Sequence, residues 1–457
     1  MLNTIKQQGK TARLTTGSVG KTLFHQTVPM FFGILSMVGF NIVDTYFVGE
    51  LGTVALAAMS FTLPVVFIIS SIALGIGIGT SAVISRAIGS GDMTYVRRLA
   101  TDSILLGWLF VIVFIIIGMF TIEPLFRLLG ASNEIIPHIK RYMYIWYPGM
   151  IFVVVPMVGN NIIRGTGDMK VPGLIMLIAS VLNVIFDPIF IFGWWIFPRM
   201  EIAGAALATV LSRMFTLIAS FYVLIKREKI LTFKKTHISN VLQSFKKILF
   251  IGIPAAGTRI VMPLSIGIIT AILSPYGKEI VAGFGVGLRI EFFALSIPMS
   301  LATVINPFTG QNWMSGNYDR VFKGIKLSSV FIFLYGLFIM ALLFLTGKII
   351  APVFNNDPKV VKTIDLFLKI VPICYGLQGI HMLCGTALYS LHKPIHSIVL
   401  TIIQMFVFYV PFALIGKYFF QIKGVFFGIA ISNVLAGILS YFVLRKIMFG
   451  MRKSIKE

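Results

Sequence analysis

Four polar side chains stand where polarity is costly. Asp44 lies in GFNIVDTYFVG (39–49), Asn183 and Asp187 in LNVIFDPIF (182–190), and Thr209 in GAALATVLS (204–212), each within a run apolar enough to cross a bilayer. An ionisable group in such a run marks a functional site by default. At a rise of about 1.5 Å per residue, Asp44 sits roughly 25 Å and Asp187 roughly 22 Å from one end of their runs, and Thr209 roughly 10 Å from the opposite end, so three segments bring oxygen atoms to one depth. Asn183 precedes Asp187 by one helical turn on the same face. Pro188 leaves the Val184 carbonyl without its usual donor. Carboxylate, amide, hydroxyl and free carbonyl are the hard ligands of a small cation. Two carboxylates close together in a low-dielectric setting share protons or a cation. The expected chemistry is reversible binding of H+ or Na+, with Asp44, Asn183, Asp187 and Thr209 as the metal ligands if the ion is sodium; no cofactor is implied.

The elements that must position these groups are membrane spans. Of the 457 residues, 57% are hydrophobic and only 12% charged, and the mean hydropathy of +0.93 lies outside the range of soluble globular domains. Runs of spanning length fall at 24–49, 55–86, 99–121, 138–163, 172–195, 202–225, 247–274, 280–312, 326–350, 363–390, 395–420 and 424–447. The chain is therefore expected to be an all-α integral membrane protein of about twelve transmembrane helices. The net charge of +23 sits in short basic clusters between runs, such as KREKILTFKK at 226–235, which topology explains without a nucleic-acid partner. Their one-sidedness places both termini in the cytoplasm, and the short loops suit a cell (inner) membrane. The start, MLNTIKQQGK, lacks the apolar core and cleavage site of a removable signal peptide. Cys374 and Cys384 share one apolar run and read as small hydrophobes.

The chain also repeats. Laying Lys21 over Lys246 aligns, without a gap, Pro29 with Pro254, Gly52 with Gly277, Phe67 with Phe292, and Ser90-Gly91 with Ser315-Gly316. The reading is a first lobe at 1–225, a basic cytoplasmic linker at 226–246 and a second lobe at 247–457, six helices to each lobe, related by an axis along the membrane normal. Asp44 superposes on Ile269, and with small gaps Asp187 falls near Tyr409 and Thr209 near Ile429. The acidic cluster belongs to the first lobe alone. A scaffold requirement would be expected twice, whereas an ion-coupling site is needed once.

Other intramembrane groups carry weaker signals. Arg213 follows Thr209 by one turn and either pairs with Asp44 or Asp187 or faces a cavity or another partner. Arg259, Arg289 and Glu291 fall in the seventh and eighth runs as candidate cavity residues; Arg289 and Glu291 are two apart and cannot face each other on a helix. Met37 and Met262 are candidates for an adaptable substrate pocket, since Met repacks easily.

With VDTYFVGELG (43–52), RAIGSGD (86–92), RGTGDMKVP (164–172), LNVIFDPIF (182–190) and GAALATVLS (204–212), the chain resembles the multidrug and toxic compound extrusion (MATE) family over essentially its whole length. The resemblance implies the two-lobe MATE/MOP-type fold and an antiporter that expels amphipathic, often cationic compounds in exchange for H+ or Na+. It carries cation-binding roles onto Asp44, Asn183, Asp187 and Thr209, and a helix-bending role onto Pro29. The match is closest to the DinF-like branch: branches with a glutamate on helix 7 and an aspartate on helix 10 are not matched, and Met262 or its neighbours stand where the glutamate would be. Small organic molecules and the bilayer are the implied partners, for a monomer. The rival reading is a lipid-linked precursor flippase of the same superfamily, its diphosphate gripped by Arg213, Arg259 and Arg289. An enzyme is not expected: the glycine-flanked GxGD context of an intramembrane aspartyl protease is missing. A P-loop is missing too.

Overall fold

The computed structural model describes residues 12–232 and 237–456. The N-terminal stretch 1–11 and residues 233–236 of the basic linker, with the expectations placed on them, lie outside the described residues. Every regular element among the described residues is helical: α1 Val19–Gly49, α2 Thr53–Ser90, α3 Met93–Leu128, α4 Ile136–Gly165, α5 Lys170–Phe192, α6 Ile202–Tyr222, α7 Ile238–Leu273, α8 Lys278–Met314, α9 Tyr318–Phe354, α10 Pro358–Ile370, α11 Tyr375–Ser390, α12 Pro394–Ile402 and α13 Val410–Lys456. In lipid a segment must satisfy its own backbone polar groups, and a helix does so alone.

Twelve spans follow once three joints are resolved. Helices α1 to α9 supply nine. The 3-10 turn Val371–Cys374 joins α10 to α11 as a tenth. A π-helical stretch, Ile403–Tyr409, carries α12 into α13. The long α13 breaks at Phe420 (φ −132°, ψ 15°) and Gln421 (φ 52°, ψ −133°), which separates the eleventh span from the twelfth. Among the described residues, ten stretches are individually long and apolar enough to cross a membrane, because the tenth span is broken and the last two are counted as one. Several helices outlast their apolar runs: α2 continues to Ser90 and α7 starts at Ile238, since backbone hydrogen bonding does not stop where hydropathy falls.

The sequence repeat is visible in the backbone. Gly52 and Gly277 precede α2 and α8 with φ of 103° and 111°, and Gly91 and Gly316 follow those helices with φ of 84° and 78°. These are conformations that a side chain resists, so a chain that turns twice in the same way needs glycine twice. Glu201 before α6 (φ 54°, ψ −130°) has its equal in Gln421.

The described residues form two compact units. The first holds Ala12, Arg13 and Val28–Ala256; the second holds Leu14–Thr27 and the chain from Gly257 onward. In the first, α4 is the most enclosed helix and packs on α2, α3 and α6, while α5 packs on α6. Small residues permit this closeness: Gly149 on α4 meets the Val210 side chain, and Gly204 on α6 meets the Phe190 backbone of α5. In the second unit, α8 packs on α9, α10 and α11, and α13 packs on α11. Its apolar core contains Ile269 and Ile429, with Tyr409 packed against them. The three positions matching Asp44, Thr209 and Asp187 thus converge in the second copy as well, on apolar packing.

A Cβ at Gly52 would meet no atom within 4 Å, so Gly52→Ala isolates backbone strain from steric conflict. The expected cost is about 1–3 kcal/mol, read as a lowered thermal midpoint in detergent, with the helical signal before melting unchanged.

Candidate ion site

Four helices of the first unit bring the site together. α1 supplies Asp44, α5 supplies Asn183 and Asp187, α6 supplies Thr209, and α4 adds Tyr142. Asp44, Asp187, Thr209 and Tyr142 each lie about 8–10 Å, at 1.5 Å rise per residue, from the same-side end of their helices, at Gly49, Phe192, Ile202 and Ile136 respectively, with Asn183 one turn deeper than Asp187. The tight α5–α6 packing at Gly204 sets Asn183 against Thr209. Its Nδ2 donates to Thr209 Oγ1 at 3.4 Å.

Burial is nearly complete. Asp187 is 0% exposed, Asn183 2%, Tyr142 7% and Asp44 8%. Asp44 Oδ1, Asn183 Oδ1 and both carboxylate oxygens of Asp187 have no hydrogen-bond partner. Asp44 and Asp187 act electrostatically on each other, and both act on Tyr142. One turn beyond the acids, the rings of Phe47 on α1 and Phe192 on α5 meet edge to face at 6.0 Å. Orphaned acceptors are rare in folded proteins because each carries a desolvation penalty. A cluster of four, two carboxylates among them, is one that a bound proton or cation would satisfy. Oxygen is the only donor type, and among the described residues no group of three or more His, Cys, Asp or Glu forms a metal site. The set suits a proton or an alkali cation.

Tyr142 is the member that sequence reasoning missed. A tyrosine near the end of a span reads as an interfacial anchor; its distance from the start of α4, matching that of Thr209 from the start of α6, was the available signal.

Arg213 does not pair with the acids. Its guanidinium lies over the Phe40 ring, 5.7 Å from the centroid. Phe40 precedes Asp44 by one turn and Arg213 follows Thr209 by one turn, so this contact sits directly below the site. In the second unit Arg259 and Arg289 are exposed, whereas Glu291 is buried and bonded to Gln378. Met37 and Met262 are exposed, at 40% and 45%.

Pro29 lies inside α1 at its closest approach to α5. A Cβ at Gly33 would come within 2.9 Å of the Gly173 Cα, and one at Gly173 would strike the Pro29 carbonyl. The two backbones touch there with no side chain between them, some four turns from Asp44.

A duplicated bundle of six-span halves, with unpaired acids buried in one half, defines a multi-pass membrane transporter rather than an enzyme. The chain belongs to the MatE family, which it matches over residues 29–189 and again over 254–415, two copies beginning at the paired prolines Pro29 and Pro254. It is 36% identical to the FAD transporter of Shewanella oneidensis over 95% of this chain and 96% of that protein. It is 26% identical to the multidrug export protein MepA of Staphylococcus saprophyticus over 94% of each. Among solved structures, the MATE transporter VcmN of Vibrio cholerae in the bent form superposes with a TM-score of 0.89 at 30% identity, covering 97% of this chain and 98% of that one. MATE-family relatives and structures place small-molecule transport across a membrane on firm ground.

Because Gly173 touches backbone, Gly173→Ala must push α1 and α5 apart. We expect a loss of about 1–3 kcal/mol in stability, seen as a lower melting temperature, together with slowed transport in proteoliposomes; Gly20→Ala, where a Cβ meets nothing within 4 Å, is the control.

Proposed function

We propose that this chain is a secondary active antiporter that exports small organic molecules in exchange for H+ or Na+, with Asp44 and Asp187 as the coupling carboxylates. The observation that carries the reading is the set of buried, unpartnered oxygens on Asp44, Asn183 and Asp187. Asn183 and Thr209 supply the neutral ligands, and Tyr142 supplies a hydroxyl beside both acids. Neutralising the two carboxylates removes their mutual repulsion and the cost of their burial, and α1 then rearranges about Pro29. To drive anything, the ion must bind the two conformations unequally. The protein works as a monomer in the inner membrane with both termini in the cytoplasm, the orientation that the basic loops favour.

For the cargo, the multidrug relatives support amphipathic, often cationic compounds. A second class is supported by a specific observation: Arg213, Arg259 and Arg289 lie in spans, and none is ion-paired among the described residues. Unpaired guanidinium groups repel organic cations and bind diphosphates in bidentate fashion. A flavin adenine dinucleotide, the cargo named for the Shewanella relative, carries a diphosphate, as does a lipid-linked precursor.

Proteoliposome transport under a separately imposed proton or sodium gradient tests the coupling. Asp44→Asn and Asp187→Asn are each expected to abolish gradient-driven transport, while the purified proteins keep their folded helical signal. Full transport by both variants would end the proposal. The cargo is tested by loading the liposomes with a fluorescent organic cation or with flavin adenine dinucleotide. If the arginines bind a diphosphate, Arg259→Ala and Arg289→Ala reduce dinucleotide transport at least about tenfold, a loss of about 1.4 kcal/mol, and spare the cation.

A further inference from the structure

The second unit holds a buried acid that the coupling site does not use. Glu291 is 8% exposed in the middle of α8, and Gln378 on α11 donates its Nε2 to Glu291 Oε1 at 2.8 Å. The matching residue in the first copy, by the register that aligns Pro29 with Pro254, is Val66. Neither repeat symmetry nor the scaffold therefore requires a carboxyl here.

The groups facing Glu291 are neutral. From the α10–α11 junction come Cys374 and Tyr375, and from the π-helical stretch before α13 comes Tyr409, all within electrostatic reach. On α9, Tyr335 turns its hydroxyl to the Ala294 carbonyl at 2.8 Å. His381, one turn along α11 from Gln378, is engaged by Ser440 at 2.8 Å. On α13, Asn433 accepts from Gln404 at 2.7 Å. On its own helix Arg289 is exposed and two residues away, and no described cation acts on Glu291. On α7, Arg259 lies toward Tyr389 instead.

Two further features point to a ligand that comes and goes. The Tyr375 hydroxyl, in a residue only 1% exposed, has no hydrogen-bond partner. Gln378 is also a partner suited to both states of a carboxyl: its NH2 donates to the ionised form, and its carbonyl, turned over, accepts from the protonated form. A lysine or arginine in its place would lock the carboxylate. We propose that Glu291, with Gln378 and Tyr375 around it, is a second proton-binding site, located in the C-terminal unit and independent of the Asp44–Asp187 cluster. Proton uptake converts the carboxylate to a neutral acid whose O–H requires an acceptor, so the side-chain network joining α8 to α11 rearranges with each proton bound. The inference rests on the reading of the chain as an ion-coupled transporter, yet proton binding is measurable without transport.

Infrared difference spectra of purified protein between about pH 5.5 and 8 lie above the range where exposed carboxyls titrate. In an Asp44→Asn/Asp187→Asn background, acidification is expected to raise a carboxyl C=O band that Glu291→Gln then removes. Gln378→Leu, in protein that keeps Glu291, should shift both the frequency and the midpoint of that band. A band untouched by Glu291→Gln, a Glu291 band that does not change with pH, or no shift in Gln378→Leu would each overturn the proposal. Failure of Asp44→Asn to affect transport would strike the coupling site instead and leave these spectra unchanged.

Discussion

A bilayer offers no water to a buried polar atom, and the arrangement of this protein answers to that constraint. The backbone meets it by forming helices throughout the described residues. Side chains have three ways to meet it: a partner, a proton or a cation. Most of the buried hydroxyls take the first way, bonding back to a carbonyl one turn earlier, as Thr27 does to Leu23 at 2.8 Å and Ser103 to Leu99. Asp44 Oδ1, Asn183 Oδ1 and the Asp187 carboxylate do not, and these unpartnered oxygens are the ground for the proposed ion site.

Duplication makes the contrast sharper, because the two copies place the same positions together with opposite chemistry. Ile269, Ile429 and Tyr409 pack into an apolar core in the second unit. The helical framework is therefore formed without carboxylates at the positions where the first copy has them, and replacing a buried ionic cluster by uncharged side chains is commonly neutral or stabilising. The first copy retains acids at a cost in stability, which is the pattern expected of a functional site. Glu291 extends the point: the second copy has a buried acid too, but at a register where the first has Val66.

Much of this was legible in the sequence, and the exceptions have physical causes. Span number and repeat register followed from hydropathy and from glycines whose positive φ recurs, Gly52 with Gly277 and Gly91 with Gly316. Helix ends were not legible, since hydropathy senses lipid and not hydrogen bonds; α2 and α3 both run past their apolar stretches. Asp44, Asn183, Asp187 and Thr209 could be brought to one depth by counting, because charge in a span is conspicuous. Tyr142 escaped because tyrosine is ordinary near a membrane surface. The Glu291–Gln378 bond escaped because 87 residues separate the partners and an amide in a span has many possible mates. Arg213 was left between pairing and facing a cavity; its place over Phe40 depends on the rotation of α1 about its axis, which spacing alone does not set.

That rotation ties the acids to the arginine. Phe40 and Asp44 stand one turn apart on α1, both on the same side of Pro29, and α1 is helical between them. In the proposed cycle, a rearrangement about Pro29 moves the two residues as one body. Arg213 and Thr209 are likewise one turn apart on α6, which contains no proline and so has no comparable joint. Withdrawing Asp44 from Asp187 and Thr209 therefore also withdraws the Phe40 ring from the Arg213 guanidinium. An arginine covered by an aromatic face in one state is uncovered in the other, so an anionic group could be gripped in only one of the two. Under that proposal, occupancy of the carboxylates and the covering of the Arg213 guanidinium by Phe40 change with one displacement of α1.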